Sequence, residues 1–439
     1  MGMQFRNSIC SITLLAIGCV AGADIVVDAS GDGDYLTIQE AIDAASQGDV
    51  IQVRAGTYTG SGEFIAVCED KLLSIIGAGV GKTILDGEGE RAGLQFVSMN
   101  SGDVTSVLEG VTVQNCVQQD GTGGGVRVSG PMIIRDCSFE HNGSSSKNGG
   151  AVSVGNATLI ESCVFQHNVA LSAGALYARN ATIRDCVFEY NQAAYNGGAI
   201  WSRDLASHPM VVENCTFRFN TAGDDGGAVR VCCGASMQMT GCELSYNSCG
   251  RRGGGVYIQG DASLECAISE TSIDHCQAAD SGGAVHTGLE MSFDEVDISF
   301  CQAPIGGALC VSVNFTDISS TLSSARVWDC ASDSGGVVHV EYDADADPGF
   351  TVSNSVFCAN TESDITGVWS DGGGNDWTGD DCPWQCNADL NGDSVVNVDD
   401  VLVVIARYGT SGSDPSGDGI FDVNDILLVI DQWGPCERD

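Results

Sequence analysis

Two stretches near the C-terminus place oxygen-bearing side chains at identical offsets. Residues 389–400 carry Asp389, Asn391, Asp393, Asn397 and Asp400 at positions 1, 3, 5, 9 and 12, with Val395 at position 7. Residues 414–425 repeat the pattern as Asp414, Ser416, Asp418, Asp422 and Asp425, with Ile420 at position 7. Carboxylate, amide and hydroxyl oxygens at this spacing, with a backbone carbonyl from the seventh position, make a loop that wraps Ca²⁺. Each loop closes on Asp rather than the longer Glu usual at that position. Each leads into a short apolar helix, Val401–Tyr408 and Ile426–Trp433, followed by Gly409 or Gly434. Two Ca²⁺ ions are therefore expected. Cys386 and Cys436 flank the unit, and a disulfide between them would close it.

A second set of reactive side chains recurs about once per repeat. Val126/Val128, Val152/Val154, Val229/Val231, Val256/Ile258, Leu309/Val311 and Val338/Val340 are apolar pairs two residues apart, so each pair faces one side of a strand. The residue between them must face the other side. That column reads Arg127, Ser153, Tyr177, Trp201, Arg230, Tyr257, His286, Cys310 and His339. Aromatic faces stack on sugar rings, and Arg reads hydroxyls or carboxylates. Substrate contact is expected at Arg127, Tyr177, Trp201, Arg230, Tyr257, His286 and His339. Asp224, Asp225, Asp280 and Asp333 flank the column, and Asp225 with Arg230 is the candidate catalytic pair, since both belong to one coil. The plainer reading is an exposed sheet, where Tyr and Trp are favoured anyway. A further column, His141, His167, Tyr190, Phe219, Tyr246, His275 and Phe300, lies beside a bend and reads as structural stacking.

The elements that must hold these residues come from a repeat of about 24 to 29 residues. Its clearest copy is Val212–Val231, VENCTFRFNTAGDDGGAVRV. An apolar column runs Phe139, Phe165, Phe188, Phe217, Leu244, Ile273, Ile298 and Phe357; Asn142, Asn168, Asn191, Asn220, Asn247 and Asn360 follow three residues after it. Cys276, Cys301 and Cys330 stand in for Asn between them. A Gly-Gly step then opens the next strand. This period, with β-type residues and no helical pattern, predicts a β-solenoid whose coils stack at about 4.8 Å. Asn at equivalent turns predicts a side-chain amide ladder, and Gly-Gly the tight corner geometry.

The chain is strongly acidic, with 18 Lys+Arg against 59 Asp+Glu and a formal charge of −41. Such a surface repels nucleic-acid phosphates and anionic lipid. Arg6, the apolar run Ile9–Val20 and Ala21-Gly22-Ala23 read as a secretory leader over 1–23; Gly18-Cys19 leaves a lipoprotein cleavage open. No later stretch is long enough for a transmembrane segment. The domain reading is a leader at 1–23, a β-solenoid at 24–382 and the calcium unit at 386–439, with a secreted or cell-surface location. Of 21 Cys, Cys137, Cys163, Cys186, Cys215 and Cys242 occupy one interior column, so they are expected as free, small apolar fillers rather than a disulfide framework. Asp343, Asp345 and Asp347 read as a solvated acidic turn.

Near the N-terminus, Asp24–Val27 and Asp49–Arg54 read as strands around a helix, Ile38–Ser46, opened by a Thr37/Glu40 capping box. This opening, DGDYLTIQEAIDAASQGDVIQVRAGTY, resembles the N-terminal cap of pectin-lyase-like right-handed parallel β-helices. The GGA and F-x-x-N repeats resemble those of polymorphic outer-membrane adhesins. Residues 386–439 look like a type I dockerin, which implies two bound Ca²⁺ and a cohesin partner. The usual Ser/Thr recognition pairs are here Val398-Asp399 and Val423-Asn424, so wall attachment or self-association stays open. The combined expectation is a mainly β, secreted protein that binds a polysaccharide or cell surface and is tethered through its calcium module. The alternative is a polysaccharide lyase or glycoside hydrolase of the same fold; the polygalacturonase run of Asn-Thr-Asp, Asp-Asp and Gly-His-Gly is not found, since neither Asn-Thr-Asp nor Gly-His-Gly occurs.

Overall fold

The computed structural model of the chain describes residues 24–97, 105–203, 209–260, 266–313, 320–342, 349–361, 363–379, 395–396, 398–408, 423–431 and 434–435. The expected leader, the acidic turn at Asp343–Asp347 and the Cys386/Cys436 pair lie outside the described residues.

A coil is built from short strands separated by bends. In one coil these are Met210–Glu213, Thr216–Arg218, Thr221–Ala222 and Val229–Cys232. Equivalent strands of successive coils pair in parallel, giving sheets of 14, 13, 7 and 12 strands among the described residues. The expected solenoid is therefore present. The register is residue for residue: Phe139 pairs with Phe165, then Phe188, Phe217, Leu244, Ile273 and Ile298. Their side chains point inward and are fully buried, and successive Phe rings stack at 4.7–4.9 Å. The column Cys137, Cys163, Cys186, Cys215 and Cys242 is buried and free, as its interior placement implied. A half-apolar strand cannot be stable alone, so each coil depends on the burial its neighbours supply.

The corners explain the rest of the repeat. The residue before each Asn adopts a left-handed conformation, as at His141 (φ +54°), Tyr190 (φ +54°) and Phe219 (φ +55°). This turns the chain and leaves backbone groups that no strand pairs. The Asn side chains satisfy them. Asn191 Oδ1 accepts the backbone N–H (3.1 Å) and Nδ2–H (3.0 Å) of Asn168, and Asn191 Nδ2 donates to Phe165 O and to Asn220 Oδ1. The ladder runs from Asn142 to Asn247 and then continues through sulfur: Asn247 Nδ2 approaches Cys276 Sγ at 3.8 Å, and Cys301 Sγ receives the Cys276 N–H at 3.4 Å.

The two glycines of each step have different duties. The first takes positive φ, as at Gly226 (+73°). The second faces the next coil's backbone: a Cβ on Gly227 would sit 1.9 Å from Gly254 O. No side chain fits there.

Helix α1 spans Ile38–Ala44, two residues shorter than its pattern suggested, with the Thr37/Glu40 capping box in place. Its Ile38, Ala41 and Ile42 are buried against the first strands. Helices α2 (Val398–Arg407) and α3 (Val423–Asp431) pack on each other, and Val395–Val396 pairs antiparallel with Gly434–Pro435. Both helices begin three residues earlier than the apolar run alone implied. No described helix is long and apolar enough to cross a membrane.

The ladder gives a direct stability test. Asn191→Ala leaves three buried groups, the Asn168 N–H and Nδ2–H and the Phe165 carbonyl, without their partner, so it should destabilise the chain by about 3 kcal/mol or more, at roughly 1–3 kcal/mol for each bared group. The urea midpoint followed by far-UV circular dichroism measures this; a change within about 0.5 kcal/mol would mean the ladder carries no stability.

Candidate functional site

The column between the paired apolar residues is a true register column. Arg127, Ser153, Tyr177, Trp201, Arg230, Tyr257, His286, Cys310, His339 and Thr366 pair in that order across the 12-stranded sheet. They point away from the interior, but most are not the open surface that alternation alone predicts. Tyr257 is 1% exposed, Cys310 3%, His286 7% and Trp201 9%. Arg127, Tyr177, Arg230 and His339 are half-buried.

What covers the centre is a second column: the residue immediately before each Gly-Gly step. In successive coils it reads Asn196, Asp225, Arg252, Ser281 and Ile305. Arg252 bridges to Ser281, and Ser281 to Ile305, in parallel register. The tight Gly-Gly corner that follows sets these side chains beside the strand column. Sequence reasoning missed Arg252; its signal was its place before Gly253-Gly254, equivalent to that of Asp225 one coil earlier.

The two columns meet around one carboxylate. Arg252 Nε and Nη2 donate to the two oxygens of Asp225, each at 3.0 Å. Arg230 Nη1 lies 3.8 Å from the same group, and the Asp225 side chain is 3% exposed. The guanidinium groups also lie on rings. Arg252 sits 4.6 Å from the Tyr257 ring centre, Arg230 is 5.3 Å from Tyr257 and 5.9 Å from Trp201, and Arg203 is 5.2 Å from Trp201. Such contacts hold a cation by the negative face of the ring. Three guanidinium groups thus gather on two rings in a chain with few basic residues.

Asp225 and Arg230 are brought together as the sequence suggested. The chemistry of the pair differs from a catalytic one. A carboxylate gripped bidentately by Arg252 and shut from water is committed to its partner, and breaking such a buried pair costs about 3–5 kcal/mol. It is therefore a poor general base. Arg230 Nε and, one coil before Asp225 in the pre-glycine column, Asn196 Oδ1 are buried without a hydrogen-bond partner. At the lower end of the site, Ser281 Oγ meets His286 Nδ1 at 2.9 Å, and the Tyr257 hydroxyl donates to Gln259 Oε1 at 2.6 Å. Burial, aided by the Arg252 charge, pushes the His286 imidazole down to about 4. Burial likewise raises the Tyr257 phenol, so both rings are neutral near pH 7.

The bend column is present as stacked rings. His141, His167, Tyr190, Phe219, Tyr246, His275 and Phe300 follow one another at 4.6–5.1 Å between ring centres. The rings are exposed at their edges, while their faces are taken by one another. Flat stacking of sugars is blocked along the column, which supports its structural reading.

Of the expected calcium ligands, Asp389, Asn391, Asp393, Asn397, Asp414, Ser416, Asp418, Ile420 and Asp422 lie outside the described residues. Val395 lies in the short antiparallel pair, Asp400 is fully buried in the first turn of α2, and Asp425 falls in the first turn of α3. Among the described residues no group of three or more His, Cys, Asp or Glu has metal-binding geometry. On the same two helices Leu402, Ile405, Leu427 and Ile430 are all more than half exposed, as is Tyr408 just after α2.

Residues 92–224 match the right-handed β-helix region family. A pectinesterase/pectinesterase inhibitor of Arabidopsis thaliana is 36% identical over 116 residues, 25% of this chain and 23% of that protein. Pectinesterase/pectinesterase inhibitor U1 of Solanum lycopersicum is 30% identical over 130 residues, 28% of this chain and 18% of that protein. The chain thus spans less than a quarter of the length of these curated relatives. Among solved structures, an Azotobacter vinelandii mannuronan C-5 epimerase A-module aligns over 77% of this chain and 94% of its own, at 14% identity and a TM-score of 0.39.

The His286 site predicts a pH effect. With its pKa depressed from 6.5 to about 4, the unfolded chain takes up a proton that the fold refuses. The stability contributed by His286 is fully present above pH 6.5 and is lost through the window down to pH 4, about 3 kcal/mol in all. His286→Asn should flatten that part of the profile. Urea midpoints measured from pH 7 to pH 4 would contradict this if parent and variant ran parallel.

Proposed function

We propose that the chain is an extracellular, right-handed β-helical protein whose 12-stranded face binds a polysaccharide bearing carboxylate groups. The observation that carries this reading is the half-buried Arg230 guanidinium, 3.8 Å from Asp225 and lying against the Trp201 and Tyr257 rings, with Arg203 and Arg252 on the same two rings. Arg230 is only loosely held by Asp225, so its charge is available to a ligand carboxylate; the half-buried Tyr177, 5.6 Å from the Trp201 ring, offers an aromatic ring one coil from Trp201. A local cationic patch also counters the repulsion that a chain of charge −41 exerts on an acidic glycan. The pectinesterase names of the curated relatives agree with a carboxylated, pectin-like ligand.

The second reading is an enzyme acting on the same class of polysaccharide, which those names favour. The bidentate hold on Asp225 speaks for binding. The two readings separate in one experiment: affinity electrophoresis of the secreted chain in polygalacturonate, methyl-esterified pectin and a neutral glucan, with the products assayed alongside. Retardation is expected in polygalacturonate, with a loss of at least tenfold in affinity, about 1.4 kcal/mol, for Arg230→Ala and for Trp201→Ala. Equal retardation in the neutral glucan would sink the carboxylate reading. Release of methanol, reducing ends or unsaturated ends, lost in Asp225→Ala, would establish the enzyme.

For residues 386–439 we propose two Ca²⁺ sites and a tethering role, as a dockerin-like module. The duplicated oxygen pattern supports the metal, and both closing Asp residues fall at helix starts, where carboxylates are favoured. The exposed apolar side chains of α2 and α3 supply a docking surface for a cohesin-like or cell-wall partner. Calorimetric titration of the chelator-stripped chain should show two Ca²⁺ bound, reduced to one by Asp400→Ala. No calcium uptake by the parent chain would remove the proposal.

A further inference from the structure

The strand Val229–Cys232, which carries Arg230, ends in a pair of neighbouring cysteines. The turn after it is closed by Ala235 N–H donating to Cys232 O at 3.3 Å. Its two central residues, Cys233 and Gly234, both have positive φ, +63° and +89°. Paired positive φ values belong to type I′ turns, where Asn-Gly or Gly-Gly is usual. A Cys at the first position is strained there, because its Cβ crowds the following carbonyl. The conformation folds the Cys233 thiol back over its neighbour, so that the two Sγ atoms lie 2.7 Å apart, inside ordinary non-bonded contact.

The two thiols face different surroundings. Cys232 is buried with Ala173 and Trp201, and its sulfur accepts the indole Nε1–H of Trp201 at 3.4 Å. Cys233 is exposed, whereas every other free cysteine among the described residues is buried. One sulfur therefore meets reagents in solution and the other sits directly behind it, against a ring of the candidate binding face.

We propose that Cys232 and Cys233 form a reversible vicinal disulfide, made by exchange with a low-molecular-weight disulfide such as glutathione disulfide. Cys233, as thiolate, attacks one sulfur of the oxidant. The oxidant's S–S bond breaks, one small thiolate leaves, and a mixed disulfide forms on Cys233. Cys232 gives up its proton and attacks the Cys233 sulfur, closing the vicinal S–S bond and expelling the second small thiolate. Two protein thiols are oxidised, one small disulfide is reduced to two thiols, and the departing thiolates carry away the protons. The order follows from access and acidity. Burial pushes the Cys232 thiol up to about 11, so it suits the second step, in which its target is already in contact. The closed ring fixes the sulfur that receives the Trp201 N–H and so couples the redox state to the centre of the stripe.

The test uses the full chain equilibrated at graded ratios of reduced to oxidised glutathione, quenched with acid, unfolded, alkylated with iodoacetamide and digested. Peptide mass spectrometry should show one transition, from a peptide alkylated at both Cys232 and Cys233 to an unalkylated peptide lighter by two hydrogens. Tryptophan fluorescence should fall over the same range. Cys232→Ser should instead hold glutathione on Cys233. Should that core variant fail to fold, Cys233→Ser, changed at the exposed position, should lose both the mass transition and the fluorescence change. A parent chain that keeps glutathione on Cys233, or whose Cys233 stays alkylatable at every ratio, overturns the proposal.

Discussion

The large domain depends on how closely one coil can lie on the next at its corners. A parallel coil must advance by one strand spacing while its backbone turns, and the turning residues cannot all pair in a sheet. Here the shortfall is met by Asn side chains that bond both the coil below and the next Asn in line. The approach is then limited by the second Gly of each step, whose missing Cβ leaves room for the neighbouring carbonyl. With the corner fixed in this way, register holds along the columns described above and shifts locally elsewhere, as between Ser144 and Asn148 and between Asn156 and Leu159. Side chains in these columns stack on their counterparts, as the interior Phe rings and the left-handed bend rings both do.

Fixed register also lets a site be assembled from single residues. The pre-glycine position has one geometry in every coil, yet it holds Asn196, Asp225, Arg252 and Ser281 in turn. Beside it the strand position holds Trp201, Arg230, Tyr257 and His286. Two columns with such varied chemistry make an ion pair, a set of guanidinium–ring contacts and two orphaned polar atoms within a few coils. The bend column repeats one kind of side chain and uses up its faces in stacking. Variety in register therefore marks the binding face, while uniformity marks scaffold.

Much of this was legible in the residues. The interior Phe, Cys and Val positions, the Asn ladder and the membership of the strand column follow from spacing alone, because strand alternation and coil period are rigid rules. The burial of that column was not legible. Alternation says that Tyr257 points away from the core, but not that Arg252 of the neighbouring column will lie over it. Nor does it say that Arg252 will grip Asp225 bidentately. The helices α2 and α3 start before their apolar runs because acidic first turns, such as Val398-Asp399-Asp400, suit the helix N-terminus. The thiol pair at Cys232–Cys233 depends on a left-handed residue that spacing does not reveal.

The central claim is that the paired columns on the 12-stranded face take up a carboxylated polysaccharide. Hydrogen–deuterium exchange of the full chain with and without polygalacturonate tests it most directly. The account predicts slowed exchange in the backbone around Asn196–Trp201, Asp225–Val231 and Arg252–Ile258, with the bend column and α2 and α3 unchanged. Slowed exchange confined to the bend column or to those helices, or none at a saturating concentration, would contradict it.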